Sequence, residues 1–230
     1  MQPFLLNWFT RYAFVVSQLR ERGLAGASIL EVGSGSFGLA PFVKHRVIGV
    51  DERFDQQRHE LLAPVKGRAG HLPFRDASFD VVVSLDVIEH IPGASRSSVI
   101  AEMFRLCRSH LIVGCPVGET AKRCDRAFVD WLTNSGKDVP WWVEEHFRTG
   151  VPSEEEMAAV IQGLPNARFQ VYDNENEAVH TMAIMADHTP EVLEPLTLSL
   201  NNHFGEWLDL CRKVNFGDCY RKFFVVQKNE

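Results

Sequence analysis

Four short apolar runs, rich in β-branched residues, divide the first half of the chain, 28–32, 46–51, 79–85 and 110–115, and a further short strand is expected at 65–68. Each run is too short for a stable helix and reads as a strand buried on both faces. The segments between them carry helical spacing. Before the first run, Leu5, Trp8, Phe9, Tyr12, Val15, Val16 and Leu19 recur at intervals of three and four, which predicts an amphipathic helix over 4–20. Short helices are expected at 39–43 and 54–62. A longer one at 97–107 carries Val99, Ile100, Met103, Phe104 and Cys107 on one face. Strands alternating with helices predict an α/β fold: a doubly wound, mostly parallel sheet with helices on both sides.

The second half is less regular. Ala121, Cys124, Phe128, Trp131 and Leu132 fall at helical spacing. Ser153 precedes Glu154, Glu155 and Glu156, a capping-box pattern that starts another helix through Met157, Val160, Ile161 and Leu164. Two last strands are expected at 167–172 and 222–228, completing a seven-stranded sheet. Residues 175–221 lie between them, 47 positions where a connection usually needs about 4–6. Helical spacing over 177–186 and 191–213 makes this a helical insertion. At this length one domain, 1–230, is expected, with an N-terminal helical segment 1–26 and the insertion 175–221.

Composition excludes several classes. Lys plus Arg number 24 against 30 Asp plus Glu, so the net charge is -6. A nucleic-acid partner, which calls for a basic excess, is not expected. No apolar run reaches the roughly 18 residues of a membrane span. The aromatic N-terminus lacks a basic leader and a small-residue cleavage site, so it is not read as a signal peptide. Five cysteines, an odd number without a C-x-x-C pair, read as free thiols in a reducing cytoplasm. Nine histidines show no metal-ligand spacing, and no metal site is expected.

The strongest local motif is Glu31-Val-Gly33-Ser-Gly35-Ser-Phe-Gly38, between the first strand and the first short helix. Glycines there allow a tight turn and close backbone approach to a ligand beside helix amides. Asp51, ending the second strand, places a carboxylate where it can accept both hydroxyls of a ribose. Glu31 stands inside the first strand, where a dinucleotide fingerprint is normally apolar. A buried acid needs a donor, and a ligand ammonium group would supply one.

These residues resemble the class I S-adenosylmethionine-dependent methyltransferases. Ile29-Leu-Glu-Val-Gly-Ser-Gly35 is similar to the first motif of that family, and Val47-Ile-Gly-Val-Asp51 to the second. The stretch from Gly67 to Asp80 is similar to the loop before the fourth strand, and Ser84-Leu-Asp-Val-Ile-Glu-His-Ile-Pro92 to the segment after it. The resemblance covers about 28–115, with looser similarity through 153–228. It implies a Rossmann-like methyltransferase fold and S-adenosylmethionine as cofactor, with S-adenosylhomocysteine as product. It further implies that Gly33 and Gly35 approach the methionine part, Glu31 helps to hold the ammonium and Asp51 binds the ribose. Leu85 and Asp86 then reach the cofactor from the loop after the fourth strand, and Leu72 follows the adenine turn. Arg68 departs from the pattern: many relatives carry an acid there that accepts a hydrogen bond from the adenine amino group, and guanidinium accepts none.

If the acceptor is a hydroxyl, a base must take its proton. His90, just past the fourth strand at the carboxyl edge of the sheet, is the first candidate, and His146 in Trp141-Trp-Val-Glu-Glu-His146 is the second. Tandem Trp suits stacking on a sugar or aromatic acceptor. The expected reaction is O- or N-methylation of a small molecule or glycan. The alternatives are a catalytically silent S-adenosylmethionine-binding protein and a nicotinamide-dependent oxidoreductase, which also uses a Gly-rich turn and a ribose acid. Residues 175–221 carry a soft apolar face (Val179, Met182, Ala183, Met185, Ala186) and a second one (Leu196, Leu200, Phe204, Trp207, Leu208, Cys211). With Trp141 and Trp142 they are expected to wall the acceptor site; a dimerisation face is the competing reading of the same residues.

Overall fold

The computed structural model describes residues 5–229. Strands β1 (Ile29–Val32), β2 (Val47–Asp51), β3 (Leu62–Lys66), β4 (Phe79–Leu85), β5 (Cys107–Pro116), β6 (Ala167–Asn176) and β7 (Cys219–Lys228) form one sheet in the order β3-β2-β1-β4-β5-β7-β6. The first five are parallel, and β7 enters antiparallel between β5 and β6. The order reverses at β1, so the crevice outside the carboxyl ends of β1 and β4 is where such a sheet binds ligands.

Successive strand residues feed opposite cores. Ile29, Val81, Val83, Ile112, Phe223 and Val225 face one side; Leu30, Val82, Leu111, Val113, Phe224 and Val226 face the other. This double burial explains the nearly unbroken apolar runs. Helix α1 (Leu6–Glu21) and the short α2 (Ala40–Val43) cover the first face. The expected start of α1 at residue 4 lies outside the described residues. Phe9, Val15 and Leu19 of α1 are at most 2% exposed. Each such side chain contributes about 1.5–3 kcal/mol, so the N-terminal helix belongs to the core of the domain. Helices α3 (Gly93–Leu106) and α6 (Glu154–Gln162) cover the second face. Ser153 caps α6 as its sequence predicts, its Oγ accepting from the Glu156 amide at 3.1 Å.

Helices α4 (Gly118–Asn134) and α5 (Trp141–Thr149) follow β5, and α7 (Glu177–Asp187), α8 (Pro190–Asn202) and α9 (Phe204–Cys211) separate β6 from β7. The insertion divides in two. Leu200, Leu208 and Cys211 of α8 and α9 join the α1 core, whereas α7 runs along the mouth of the sheet.

Two local expectations are corrected. Residues 54–62 form no helix. Ser36 holds this segment instead: its Oγ donates to the Asp55 carboxylate and accepts from the Asp55 amide, and its carbonyl accepts from the His59 amide. The third strand begins at Leu62 rather than Val65 and includes Pro64, which an edge strand tolerates because it needs no donor on the solvent side.

Candidate functional site

A cavity of about 1190 Å³ opens at the carboxyl edge of the sheet. One end is built from main chain and one acid. Gly33 follows β1 with φ 79°, and a Cβ there would lie 2.1 Å from Cγ2 of Val87, so only glycine fits. The carboxylate of Asp51 accepts from the Gly35 amide at 2.8 Å and from the Arg53 amide at 3.1 Å. This fixes the acid at the cavity wall with lone pairs to spare. Asp51, Gly33, Val50 and Gly67 to His71 line this end.

Glu31 does not line it. Its carboxylate is fully buried under the glycine turn, where it accepts from the Tyr12 hydroxyl at 2.5 Å and from the Leu39 amide at 2.7 Å. Gly38 leaves it room: a Cβ there would sit 2.2 Å from Oε2 of Glu31. Glu31 therefore ties α1 to the start of α2 and shapes the turn from below. Burial pushes its pKa up to about 7 despite the two donors. The donor that its position demands comes from Tyr12, which in the sequence shows only as part of a hydrophobic stripe. Leu72 and Leu85 are likewise packed in the core behind the cavity, and Gly35 touches it through Asp51. Arg68 stands at the rim with its side chain 82% exposed, 3.3 Å from the Glu52 carboxylate. It points to water rather than into the pocket.

Asp86 marks the middle of the cavity. It adopts φ 51°, which a non-glycine residue rarely holds unless its surroundings enforce it. Here they do. Arg221 grips the carboxylate with two hydrogen bonds, from Nε at 2.6 Å and Nη2 at 2.8 Å, and Arg11 adds a third. Burial alone would raise the Asp86 pKa, but the two guanidinium groups hold it well below the usual carboxylate range. Arg221 also donates to Glu175 at 3.0 Å, and Glu175 accepts from Thr10 and meets Nδ1 of His180. The His180 ring stacks on Tyr220 with centroids 3.4 Å apart. Buried Arg221 and half-buried Arg11 thus face buried Glu175 and half-buried Asp86 across α1, the end of β4, β6 and β7. Neither Arg11 nor Glu175 is marked by a sequence motif, and Arg221 is marked only weakly, by the likeness of Cys219-Tyr-Arg to methyltransferases of glycan biosynthesis.

The far end joins the two predicted histidines. His90 lies in a single turn of 3-10 helix, Ile88–His90, and His146 on α5. Their ring centroids are 4.9 Å apart. A carboxylate stands behind each: Glu145 is 3.0 Å from Nδ1 of His90, and Asp125 is 2.9 Å from Nδ1 of His146. Tyr220 donates to the other oxygen of Asp125. Burial, with His146 beside it, lowers the pKa of His90. Glu89 completes the group. It is fully buried, and burial with the Asp86 charge nearby raises its pKa well above normal. Neither Glu89 oxygen nor Nε2 of His146 forms a hydrogen bond among the described residues. Buried polar groups of native proteins rarely lack partners, and those that do tend to mark a role. Arg96 fixes this turn: its Nε bonds the Ile88 and Ile91 carbonyls, and its Nη1 pairs with Glu156. Trp141, Trp142, His180, Ile184, His188 and Tyr220 wall the space above. Of 175–221, α7, His188 after it and the start of β7 at Tyr220 and Arg221 reach the cavity, whereas no residue of α8 or α9 lines it.

Residues 30–113 match a family model described as a methyltransferase domain. A protein of Mycolicibacterium smegmatis named "Probable S-adenosylmethionine-dependent methyltransferase" is 36% identical over 111 residues, 44% of this chain and 41% of that protein. A phosphatidylethanolamine N-methyltransferase of Cereibacter sphaeroides is 35% identical over 96 residues, 36% of this chain and 46% of its own length. The chain thus spans less than half of the curated relatives it matches. In fold it is similar to magnesium protoporphyrin IX methyltransferase from Synechocystis PCC 6803 with bound SAH (TM-score 0.58, 12% identity, 97% of this chain and 84% of that one). It is also similar to the plantazolicin methyltransferase BpumL in complex with a monoazolic desmethylPZN analog and SAH (TM-score 0.61, 11% identity, 98% of this chain and 85% of that one).

Proposed function

We propose that the chain is a class I S-adenosylmethionine-dependent methyltransferase, a reading supported by the methyltransferase-domain match over 30–113 and by the curated relatives, and that it methylates a hydroxyl of a small-molecule or glycan acceptor held against Glu89, His90 and His146. This reading sets the nicotinamide-dependent one aside. The residues of the glycine turn fit the cofactor. Gly35 has φ 55° and no atom within 4 Å of where a Cβ would stand, and Asp51 waits at the wall with free lone pairs. Gly33 and Gly35 would admit the methionine part and Asp51 the ribose hydroxyls. When bound, S-adenosylmethionine supplies a methyl group on a sulfonium, which needs little further activation.

What remains for the protein is alignment and a proton. Alignment of two reactants is worth several kcal/mol. The observation that carries the hydroxyl reading is the cluster at the far end of the cavity, three inward groups able to accept a proton. A hydroxyl must lose its proton to become a good nucleophile, whereas a neutral amine attacks through its lone pair directly. Asp125 orients His146 through Nδ1, leaving Nε2 as the accepting atom. Trp141 and Trp142 offer faces for a sugar or aromatic ring. The test is transfer of labelled methyl from S-adenosylmethionine to a panel of hydroxyl, amine and carboxylate acceptors. Turnover confined to hydroxyl acceptors, lost in His146→Ala with S-adenosylhomocysteine affinity unchanged, is the expected result. Turnover on amines alone contradicts the reading.

A further inference from the structure

We propose that Glu89, His90 and His146 form a binding site for one divalent first-row cation, which activates the acceptor hydroxyl; the inference deepens, and rests on, the reading of this end of the cavity as the acceptor site. The sequence shows no metal-ligand spacing, but the fold creates one in space. One ligand atom from each of the three residues lies within 4.8 Å of the other two. Donor atoms around a cation at about 2.0–2.2 Å sit roughly 3–4 Å apart, so small side-chain rotations close the set.

Three observations favour a cation over a bare cluster. Both oxygens of Glu89 and Nε2 of His146 are buried and unpaired among the described residues, and a metal ion satisfies all of them at once. Nδ1 of each histidine is already engaged by a carboxylate, Glu145 for His90 and Asp125 for His146. That arrangement keeps the proton on Nδ1 and leaves a lone pair on Nε2, as in the carboxylate–histidine–metal arrangement. The third is rigidity. Arg96 pins the turn that carries Glu89 and His90, and the Thr149 hydroxyl at the end of α5 lies 2.6 Å from the Glu89 carbonyl. Two imidazoles and one carboxylate suit zinc, manganese, iron(II) or cobalt better than magnesium or calcium, and leave positions open toward the cavity.

The acceptor oxygen takes one open position. The cation lowers its pKa and so replaces His146 as the means of deprotonation, since Nε2 of His146 is then a ligand, and the hydroxyl proton leaves to solvent water. The oxygen lone pair then forms the bond to the methyl carbon, and the pair of the breaking carbon–sulfur bond stays on sulfur. The products are the methyl ether, the neutral thioether S-adenosylhomocysteine and one released proton, with no redox change.

The experiment titrates the full chain, first stripped with a chelator, with Mn²⁺ followed by electron paramagnetic resonance, and repeats it with Zn²⁺ by calorimetry. Wild type should bind one ion, and pulsed spectra of bound Mn²⁺ should show modulation from imidazole nitrogen. Glu89→Gln and His146→Ala should abolish binding. Asp125→Asn should weaken it about 10–100-fold, and Asp51→Ala should not change it. Absence of saturable binding, a bound ion without nitrogen modulation, or equal binding in Glu89→Gln overturns the site; the nitrogen signal on wild type needs no variant to fold. S-adenosylhomocysteine binding, measured in parallel, separates the two claims. If it binds and the metals do not, the cation site alone fails; if it does not bind, the methyltransferase reading fails.

Discussion

The two ends of the cavity are made differently. The cofactor end is local: a glycine turn between β1 and α2, and one acid closing β2, all within residues 31–51. Its contacts are mostly main-chain amides and backbone shape. The acceptor end is assembled from afar, from α1, the turn after β4, α4, α5, α7 and β7, and works through buried side-chain charge. Backbone devices tolerate change in their surroundings, whereas a buried charge network fails when one partner goes. The cofactor end should therefore resist most substitutions nearby, and the acceptor end should be stiff and easily broken.

Arg221→Met breaks that contrast most sharply. It leaves buried Glu175 and half-buried Asp86 without their shared cation, a loss of about 3–5 kcal/mol. Urea unfolding should show the drop; a change under 1 kcal/mol would mean that Arg11 alone balances both acids. Next comes Glu31, beneath the cofactor end. Its pKa rises from 4.5 to about 7 in the folded protein. A raised pKa means that the folded state binds the proton more tightly, so the stabilisation is complete below pH 4.5 and is lost as pH rises through 7. The shift corresponds to about 3 kcal/mol. Glu31→Gln should flatten the stability profile over that window; identical slopes would refute the assignment.

How far the sequence could be read follows the same division. The seven strands, most helices and the positions of Gly33 and Asp51 were legible because period, glycine and strand-end acid are local signals. Glu31 was legible as a buried acid in need of a donor, but not its partner, since Tyr12 lies 19 residues away on a helix whose apolar stripe hides it. His90 and His146 were found singly. That they meet, with Glu89 between them and a carboxylate behind each ring, depends on how α5 packs over the turn after β4. Arg11 gave no signal as a site residue and Arg221 only a weak one, in Cys219-Tyr-Arg, because a lone arginine in a helix or strand usually faces water. The expected helix at 54–62 failed for a related reason: Ser36, in another segment, holds that stretch.

Asp51→Ala sharpens the comparison on the cofactor side. Hydrogen bonds to a charged group are worth about 1.5–3 kcal/mol, so S-adenosylmethionine affinity should fall at least about tenfold with stability nearly kept. Calorimetry decides, and unchanged affinity would remove Asp51 from the ribose site. The smallest effect is expected at Arg68. An exposed pair such as Arg68–Glu52 contributes about 0–1 kcal/mol, and Arg68→Asp should move cofactor affinity less than about threefold. A large loss would show that Arg68 turns inward when the cofactor binds.

The central claim is that one cavity holds the cofactor at the glycine turn and presents its sulfur to Glu89, His90 and His146. A crystal structure with S-adenosylhomocysteine tests it most directly. The account predicts the ribose hydroxyls on Asp51 and the sulfur turned toward the three-residue cluster; a ribose held elsewhere, or a sulfur facing away from His90 and His146, would contradict it.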